Sequence, residues 1–262
     1  MKRYLRLYLH FLRFSFSRAF EFRVDFWFRI VMDCVFYAVN LIFFTLLYGQ
    51  TETIGGWTLD QTYIFIAGFF LVDAIHMTVF SNNMWWLPLL VNKGDLDYYL
   101  VRPVSSLFFL SLREFAANSF INLLIAIGIV TWAIARYPGE LSAVNISTFA
   151  VLILAGAFLH YCLHLLFILP VFWLHTNRGL AMVFFSIGKL GERPDRIYTG
   201  LTRVILLTVL PLALIASIPT DTLFVGLTVE RALHVAAVCV GMFGLLVFLW
   251  GRGLRGYVSA SS

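Results

Sequence analysis

The sequence predicts an all-α membrane protein in which an N-terminal amphipathic helix, lying in the membrane interface, precedes six transmembrane helices. Of the 262 residues, 61% are hydrophobic and only 13% are charged, whereas about a quarter of a soluble domain is charged. The apolar runs are unbroken and about 20 residues long, while the strands of a membrane barrel would be about 10 residues long and alternating. Helices therefore fit the pattern, because they satisfy every backbone group within lipid.

The six spans are expected at residues 30–48, 61–80, 115–135, 148–169, 202–218 and 232–250. Each is close to the length needed to cross about 30 Å of hydrocarbon at about 1.5 Å per residue. Two longer connections lie at 81–114 and 170–201, and a tail follows at 251–262. The other connections are short, and two of them contain turn-forming prolines.

Lys and Arg residues are distributed unevenly between the two sides that these spans define. Seventeen fall in the N-terminal segment, the two longer connections, the start of the fifth span and the tail, whereas only Arg136 and Arg231 fall on the other side. This positive-inside pattern predicts that both termini lie in the cytoplasm and that the number of crossings is even. Lipid headgroups account for the net charge of +5, so no nucleic-acid partner is expected.

Residues 1–29 are expected to form a helix that lies along the cytoplasmic interface rather than a seventh span. At about 100° per residue the polar side chains fall within an arc of about 100°. These side chains are Lys2, Arg3, Arg6, His10, Arg13, Ser17 and Glu21. Such a helix buries its apolar face in the interface while its arginines reach the headgroups.

Polar residues within the predicted spans are candidates for function, because charged groups at membrane depth are costly. The first span contains Asp33 and Asn40, and the second contains Asp73 and His76. Asp33 could form a structural ion pair with Arg29. Asp73 and His76 share one helix face, which suits either a proton relay or a hydrogen bond between packed helices.

His160 and His164 in the fourth span share a face at a spacing that can bind a metal. No HExxH pattern and no acidic ligand lies nearby in the sequence, so we predict no metal site. The three cysteines lie in apolar runs without ligand spacing and are expected in the core.

The connection between the second and third spans contains a compact run of charged and aromatic residues, at 92–103. Leu96, Tyr99 and Leu100 could form one apolar face of a short helix, which Pro103 would end. Two interpretations follow from the residues alone. The run is either a plain interfacial loop or a segment that a soluble partner binds.

Three motifs give the chain a resemblance to a known family. They are Gly-Asp-Leu-Asp-Tyr-Tyr-Leu-Val-Arg-Pro at 94–103, Gly-Glu-Arg-Pro-Asp-Arg-Ile-Tyr at 191–198, and Val-Leu-Pro-Leu-Ala at 209–213. In this order, and with this length and number of spans, the whole chain resembles permease subunits of ABC-type exporters of the type-2 export class.

The resemblance implies that residues 1–29 are a connecting helix and that the second-to-third connection couples to an ATPase subunit. The implied coupling residues are Lys93, Gly94, Asp95, Leu96, Asp97, Tyr98, Tyr99, Arg102 and Pro103. A second cytoplasmic motif is expected at Glu192, Arg193, Pro194 and Tyr198.

The same resemblance implies a multi-pass protein of the bacterial inner membrane whose partners are an ATP-binding subunit, a second permease and membrane lipids. The second permease would be a related chain or a second copy. ATP and Mg would bind on the ATPase and no cofactor on this chain, which has no GxxxxGK[ST] phosphate loop. The chain is thus expected to be a transport subunit and not an enzyme.

Two other classes of function are weaker alternatives. A self-contained secondary transporter or channel would need paired ionisable residues at mid-membrane and often an internal repeat, neither of which is clear in the sequence. An intramembrane enzyme would need a Ser/His pair or a His/Glu metal set at membrane depth. The apolar spans are compatible with a lipid-like or amphipathic cargo.

Overall fold

The structure, a computed structural model, describes residues 2–19, 23–117, 119–175 and 178–257, which form helices and no strand. The α-helices are α1 (Lys2–Ala19), α2 (Arg23–Tyr48), α3 (Leu59–His76), α4 (Asn82–Lys93), α5 (Asp97–Leu100), α6 (Ser106–Leu112), α7 (Ser119–Arg136), α8 (Ala143–Ile168), α9 (Val171–Leu174), α10 (Arg178–Gly188), α11 (Gly200–Leu207), α12 (Ser217–Val225) and α13 (Val229–Gly256). A π-helical turn, Met77–Ser81, joins α3 to α4 without a break.

Five helical segments within the described residues are long and apolar enough to cross a membrane. They are Ile30–Tyr48, Leu59–Lys93, Ser119–Arg136, Ala143–Leu174 and Val229–Gly256. The all-α membrane fold is therefore confirmed, and five of the six predicted spans lie in these segments apart from a few residues at their ends.

Contacts between residues near the ends of the helices identify the two ends of the bundle. At one end, called the upper end, Asp60 forms an ion pair with Arg136 at 3.4 Å, and Asn145 donates a hydrogen bond to the Leu223 carbonyl. The opposite end, called the lower end, contains residues 93–113, α9 and the end of α13. There the Trp250 indole donates to the Ser106 hydroxyl at 3.1 Å.

The prediction of one continuous span at 202–218 is wrong. Helix α11 ends at Leu207, a single 3₁₀ turn follows Pro211, and α12 begins only at Ser217. Pro211 has no N–H group to donate, and it pushes the residue before it away from the helical conformation. The segment is apolar because it is packed against other helices: α12 lies against α8 and α3.

The chain instead returns from the lower to the upper end through α10 and the residues that follow it. Helix α10 has 11 residues, so it is only about 16 Å long and spans about half of the hydrocarbon. Its Phe184 packs on His164 and Phe167 of α8. The irregular residues after Gly188 then complete the passage, since Arg196 lies against Trp57 at the upper end.

Helix α8 is the centre of the packing. Its Leu159, Cys162 and Leu165 are buried, and it contacts α3, α4, α10, α12 and α13. Gly156 permits a close approach between α8 and the residues just before α12, because a Cβ atom at this position would collide with the Ile215 carbonyl.

Helix α1 packs across the lower end. Tyr4 contacts Phe108 at a ring distance of 4.8 Å, and Phe11 contacts Phe109 at 5.2 Å. The Phe115 amide donates to the Ser15 hydroxyl. Arg6, His10 and Arg13 are exposed along the same helix, and so are the apolar Leu9 and Phe14.

Candidate functional site

The coupling segment at 93–103 is held by a tight turn and two internal side chains. Helix α4 ends at Gly94, whose φ of 78° lies in the left-handed region that favours glycine. The Leu96 amide then donates to the Leu90 carbonyl at 3.3 Å. This turn brings Leu96 back against α4, where its side chain is fully buried.

Tyr99 is also an internal residue of this segment. Its ring packs on Phe109 at 5.6 Å, and the Arg113 guanidinium lies over it at 4.8 Å. The expectation that Leu96 and Tyr99 present an apolar face to a partner is therefore wrong, because both side chains anchor the segment to the bundle.

Other side chains of the segment face outward. Tyr98 and Val101 are 71% and 82% exposed, and Lys93, Arg102 and Pro103 are exposed as well. Of the remaining predicted coupling residues, Gly94, Asp95 and Asp97 are half-buried. The sequence reasoning missed Val101, because it followed the face of Leu96, which the fold covers.

Two further elements meet the coupling segment. Tyr257, just after α13, lies close to Asp97, and burial together with that carboxylate raises the pKa of its phenol. On the other side, Arg6 and His10 of α1 and Arg102 line a groove of about 560 Å³. Helix α1, near the N-terminus, and Tyr257, near the C-terminus, therefore both lie beside the coupling segment.

The motif at 191–198 lies at the upper end, within a network of ion pairs. Asp195 is buried and accepts hydrogen bonds from Ser217 at 2.6 Å and Arg203 at 2.9 Å. Asp221 is also buried and pairs with both Arg196 and Arg231. These groups hold the segment after α10 against α12 and α13.

The structure places this motif at the opposite end of the bundle from the coupling segment, whereas the sequence predicts both on one side of the membrane. Arg196 lies over the Trp57 ring, at 5.9 Å, and against Gly55, both in the connection between α2 and α3. Within the motif, Tyr198 donates to the Leu190 carbonyl, and Pro194 precedes the 3₁₀ turn Asp195–Ile197. Arg193 is exposed, whereas Glu192 faces the interior.

A cavity of about 370 Å³ lies within the bundle between α2, α3, α8 and α10. Six titratable side chains line it: Asp33, Asp73, His76, His160, His164 and Glu192. Asp73 lies about 21 Å along its helix from Leu59 and about 18 Å from Trp85, so the cavity is near the middle of the membrane. The structure thus unites the predicted residues Asp33, Asp73 and His76.

The three histidines of the cavity contact one another. His76 Nε2 and His164 Nδ1 form a hydrogen bond of 2.9 Å, in which one ring donates and the other accepts. His76 also stacks on His160 with ring centroids 4.4 Å apart. The Nδ1 atoms of His76 and His160 are buried without a hydrogen-bond partner among the described residues, and no cluster there is arranged to hold a metal.

The carboxylates of the cavity differ in their partners. Asp33 accepts a hydrogen bond from Asn122 of α7, and its predicted pairing with Arg29 lies outside the described side chains. Asp73 has no hydrogen bond or ion pair within the described part of the chain. Glu192 has Lys189 and Arg193 nearby.

Asn40 is not part of this site. It lies in α2 above the cavity, and its side-chain amide donates to the Phe36 carbonyl one turn earlier. This hydrogen bond lies within α2.

Aromatic side chains form the walls and the mouth of the cavity. Phe69 and Phe184 face it from inside, whereas Phe36, Trp85 and Phe185 at its rim are 42%, 60% and 46% exposed. The cavity therefore opens sideways, between α2 and α10, toward the surface that faces lipid or another subunit.

Comparison with known proteins gives one match. The family model described as "ABC-2 family transporter protein" matches residues 34–261, which includes both the coupling segment and every residue of the cavity except Asp33. Neither a curated protein nor a solved structure matches the chain. The match covers most of the sequence and agrees with the apolar helices. The chain therefore belongs to the ABC-2 transporter family and is a multi-pass membrane permease of an ABC-type transporter.

Proposed function

We propose that the chain is the permease subunit of an exporter of the bacterial inner membrane, and that a separate ATPase binds its lower end in the cytoplasm. The observation that carries this proposal is the exposed apolar pair Tyr98 and Val101 on a segment anchored by Leu96 and Tyr99. Exposed apolar side chains on a fixed support are typical of protein interfaces. ATP and Mg bind on the ATPase, and this chain supplies no catalytic group.

The groove beside the coupling segment supports the same partner. Arg6, His10 and Arg102 line it from two different elements, so an acidic surface of the ATPase would contact α1 and the coupling segment together. Exposed ion pairs contribute only about 0–1 kcal/mol each. We therefore assign most of the binding energy to Tyr98 and Val101 and the orientation of the partner to the charges.

The α3–α4 rod carries motion from the ATPase to the cavity. Leu59–Lys93 is a continuous helical segment of 35 residues, about 52 Å long, which begins at the upper end, lines the cavity and ends at the coupling segment. Closure of the ATPases pushes Lys93 and tilts this rod between two packings of the bundle. A second permease, a related chain or another copy, packs at α2 and α10, where the cavity opens, and lipids surround the rest.

The segment at 191–203 lies on the outer side of the membrane in this arrangement. Moving Arg193, Arg196 and Arg203 outward changes the distribution of Lys and Arg from seventeen and two to fourteen and five. The excess still favours a cytoplasmic lower end with both termini inside. The ion pairs of Asp195 and Asp221 neutralise Arg203 and Arg196 locally.

The docking role is tested by replacing Tyr98 and Val101 together with alanine. The ATPase that copurifies with the unchanged chain in mild detergent should be lost from the variant, because its apolar contacts are gone. Val225→Ala with Val229→Ala is the matched control, since these side chains are 68% and 77% exposed at the upper end. Equal recovery of the ATPase with both variants would contradict the proposal.

A secondary transporter remains the second candidate, because the cavity places three carboxylates and three histidines together near mid-membrane. The two functions differ in their energy source. The purified chain alone in liposomes should move no cargo when only a proton gradient is imposed. Proton-driven transport by the chain without an ATPase would favour the second candidate.

A further inference from the structure

We propose that the central cavity binds an organic cation with an apolar body, and that this class of molecule is the cargo. The inference about cargo rests on the proposed transport function, whereas the binding site itself does not. Three features of the cavity support a cation site: the charge of its lining, its aromatic surface and one buried histidine nitrogen.

The described lining contains three carboxyl groups and no side chain of Lys or Arg. The carboxyl groups belong to Asp33, Asp73 and Glu192. Ionised carboxylates at this depth are costly unless a cation accompanies them. Lys189 and Arg193 flank Glu192 in sequence but do not line the cavity, so Asp73 in particular is without a protein cation.

The aromatic walls suit the apolar part of such a molecule. Phe36, Phe69, Trp85, Phe184 and Phe185 surround the acidic groups. Ring faces attract cations, most strongly where water is excluded, and they also bury an apolar body. An anionic cargo would lie beside the carboxyl groups, and a purely apolar cargo would give Asp73 no ionic partner.

A second feature points independently to a ligand. The His76 side chain is 2% exposed and lines the cavity, and its Nδ1 atom has no partner in the described chain. Buried polar atoms are nearly always hydrogen-bonded. With His76 Nε2–H donating to His164, this Nδ1 atom is an acceptor that a protonated amine can satisfy.

The size of the cavity limits the cargo. At about 370 Å³, it lies in the range of small-molecule sites. Its sideways opening lies where the second permease is proposed to pack, so the cargo would reach it along the path between the two permeases. The expected cargo is therefore a compact amphipathic cation.

The test measures binding of two ions of matched shape and opposite charge. The full chain is placed in nanodiscs of zwitterionic lipid, and tetraphenylphosphonium and tetraphenylborate are measured by equilibrium dialysis as binding in excess of empty discs. The unchanged chain should bind more of the cation than empty discs do, and it should bind no excess of the anion. Equal excess binding of both ions, or of neither, would overturn the proposal.

Variants assign the binding to the cavity. Asp73→Asn should weaken tetraphenylphosphonium binding about tenfold or more, as expected when one buried charge partner is lost, and Glu192→Gln should weaken it in the same direction. Asp60→Asn is the control, since this carboxylate lies at the upper end and its loss should leave binding unchanged. Thermal unfolding of each variant checks that it is folded, and undiminished binding by both folded cavity variants refutes the site.

The assay also separates this inference from the proposed function. Cation binding without any copurifying ATPase would leave the site standing and the exporter function unsupported. An ATPase that copurifies with a chain unable to bind the cation would support the exporter function and refute the binding site.

Discussion

Carboxylates inside the bundle fall into two groups according to their partners. Asp195 and Asp221 at the upper end are each paired with arginine and are 3% and 4% exposed. Asp73 faces the central cavity with no ion pair or hydrogen bond to the rest of the described chain. A paired carboxylate stabilises the fold that surrounds it, whereas an unpaired one at membrane depth is a candidate for function.

Asp221→Asn should lower the stability of the upper end without changing the cavity. The substitution leaves Arg196 and Arg231 without their shared carboxylate, and breaking a buried pair is strongly destabilising. Since the two arginines are about one-third exposed, solvent screening reduces the loss to about 2 kcal/mol. A fall in the apparent Tm in detergent, with tetraphenylphosphonium binding retained, is the expected result. The exposed Glu140 provides the control, Glu140→Gln, and equal Tm values for both would refute the structural role of Asp221.

Single residues show how far the sequence could predict the candidate site. Helical spacing placed Asp73 with His76 and, separately, His160 with His164, because neighbours on one helix depend only on local geometry. Their union in one cavity depends on the packing of α3 against α8, which no local pattern specifies. The burial of Leu96 could not be predicted for the same reason. Its apolar character is evident in the sequence, but its burial depends on the turn after α4.

At the scale of elements, hydrophobicity does not distinguish a spanning helix from an apolar segment buried against other helices. Residues 202–218 have the composition of a span, yet Pro211 divides them and α12 packs into the upper half of the bundle. Helix α10, which begins the true fifth passage, is too short to be recognised as a span on its own. Pro211, which lies between α11 and α12, was the local signal of the break.

The contact between α8 and the segment before α12 should depend on Gly156. Gly156→Ala places a methyl group against the Ile215 backbone carbonyl, which has no flexible side chain to move aside, and overpacking of this kind costs about 1–3 kcal/mol. The control is Gly128→Ala in α7, where a Cβ atom meets nothing within 4 Å and alanine favours the helix by up to about 1 kcal/mol. Opposite shifts of the apparent Tm are expected. A stable Gly156→Ala variant would show that this close approach does not constrain the fold.

At the scale of the whole molecule, one continuous rod links three regions of different character. Leu59–Lys93 runs from the upper end, past the cavity, to the coupling segment. Its π-helical turn lies beside the cavity, where the Thr78 hydroxyl bonds to the Ser119 carbonyl and the Thr78 carbonyl accepts from the Ala116 amide. Such turns are frequent at functional sites. A push at Lys93 therefore reaches Asp73 and His76 through a single element.

The orientation of this rod in the membrane gives the last prediction. In a chain whose three cysteines are replaced by alanine, Thr199→Cys should react with a membrane-impermeant maleimide in intact cells, and Tyr98→Cys only after permeabilisation. Both positions are exposed in the fold, so the difference reports the side of the membrane and not burial. The excess of Lys and Arg at the lower end predicts a cytoplasmic location for that end, and the contact of Arg196 with Trp57 places residue 199 near the opposite end. Glu140→Cys is the reference for an external position. If Thr199→Cys is labelled only after permeabilisation, the 191–203 segment lies in the cytoplasm and the proposed arrangement is contradicted.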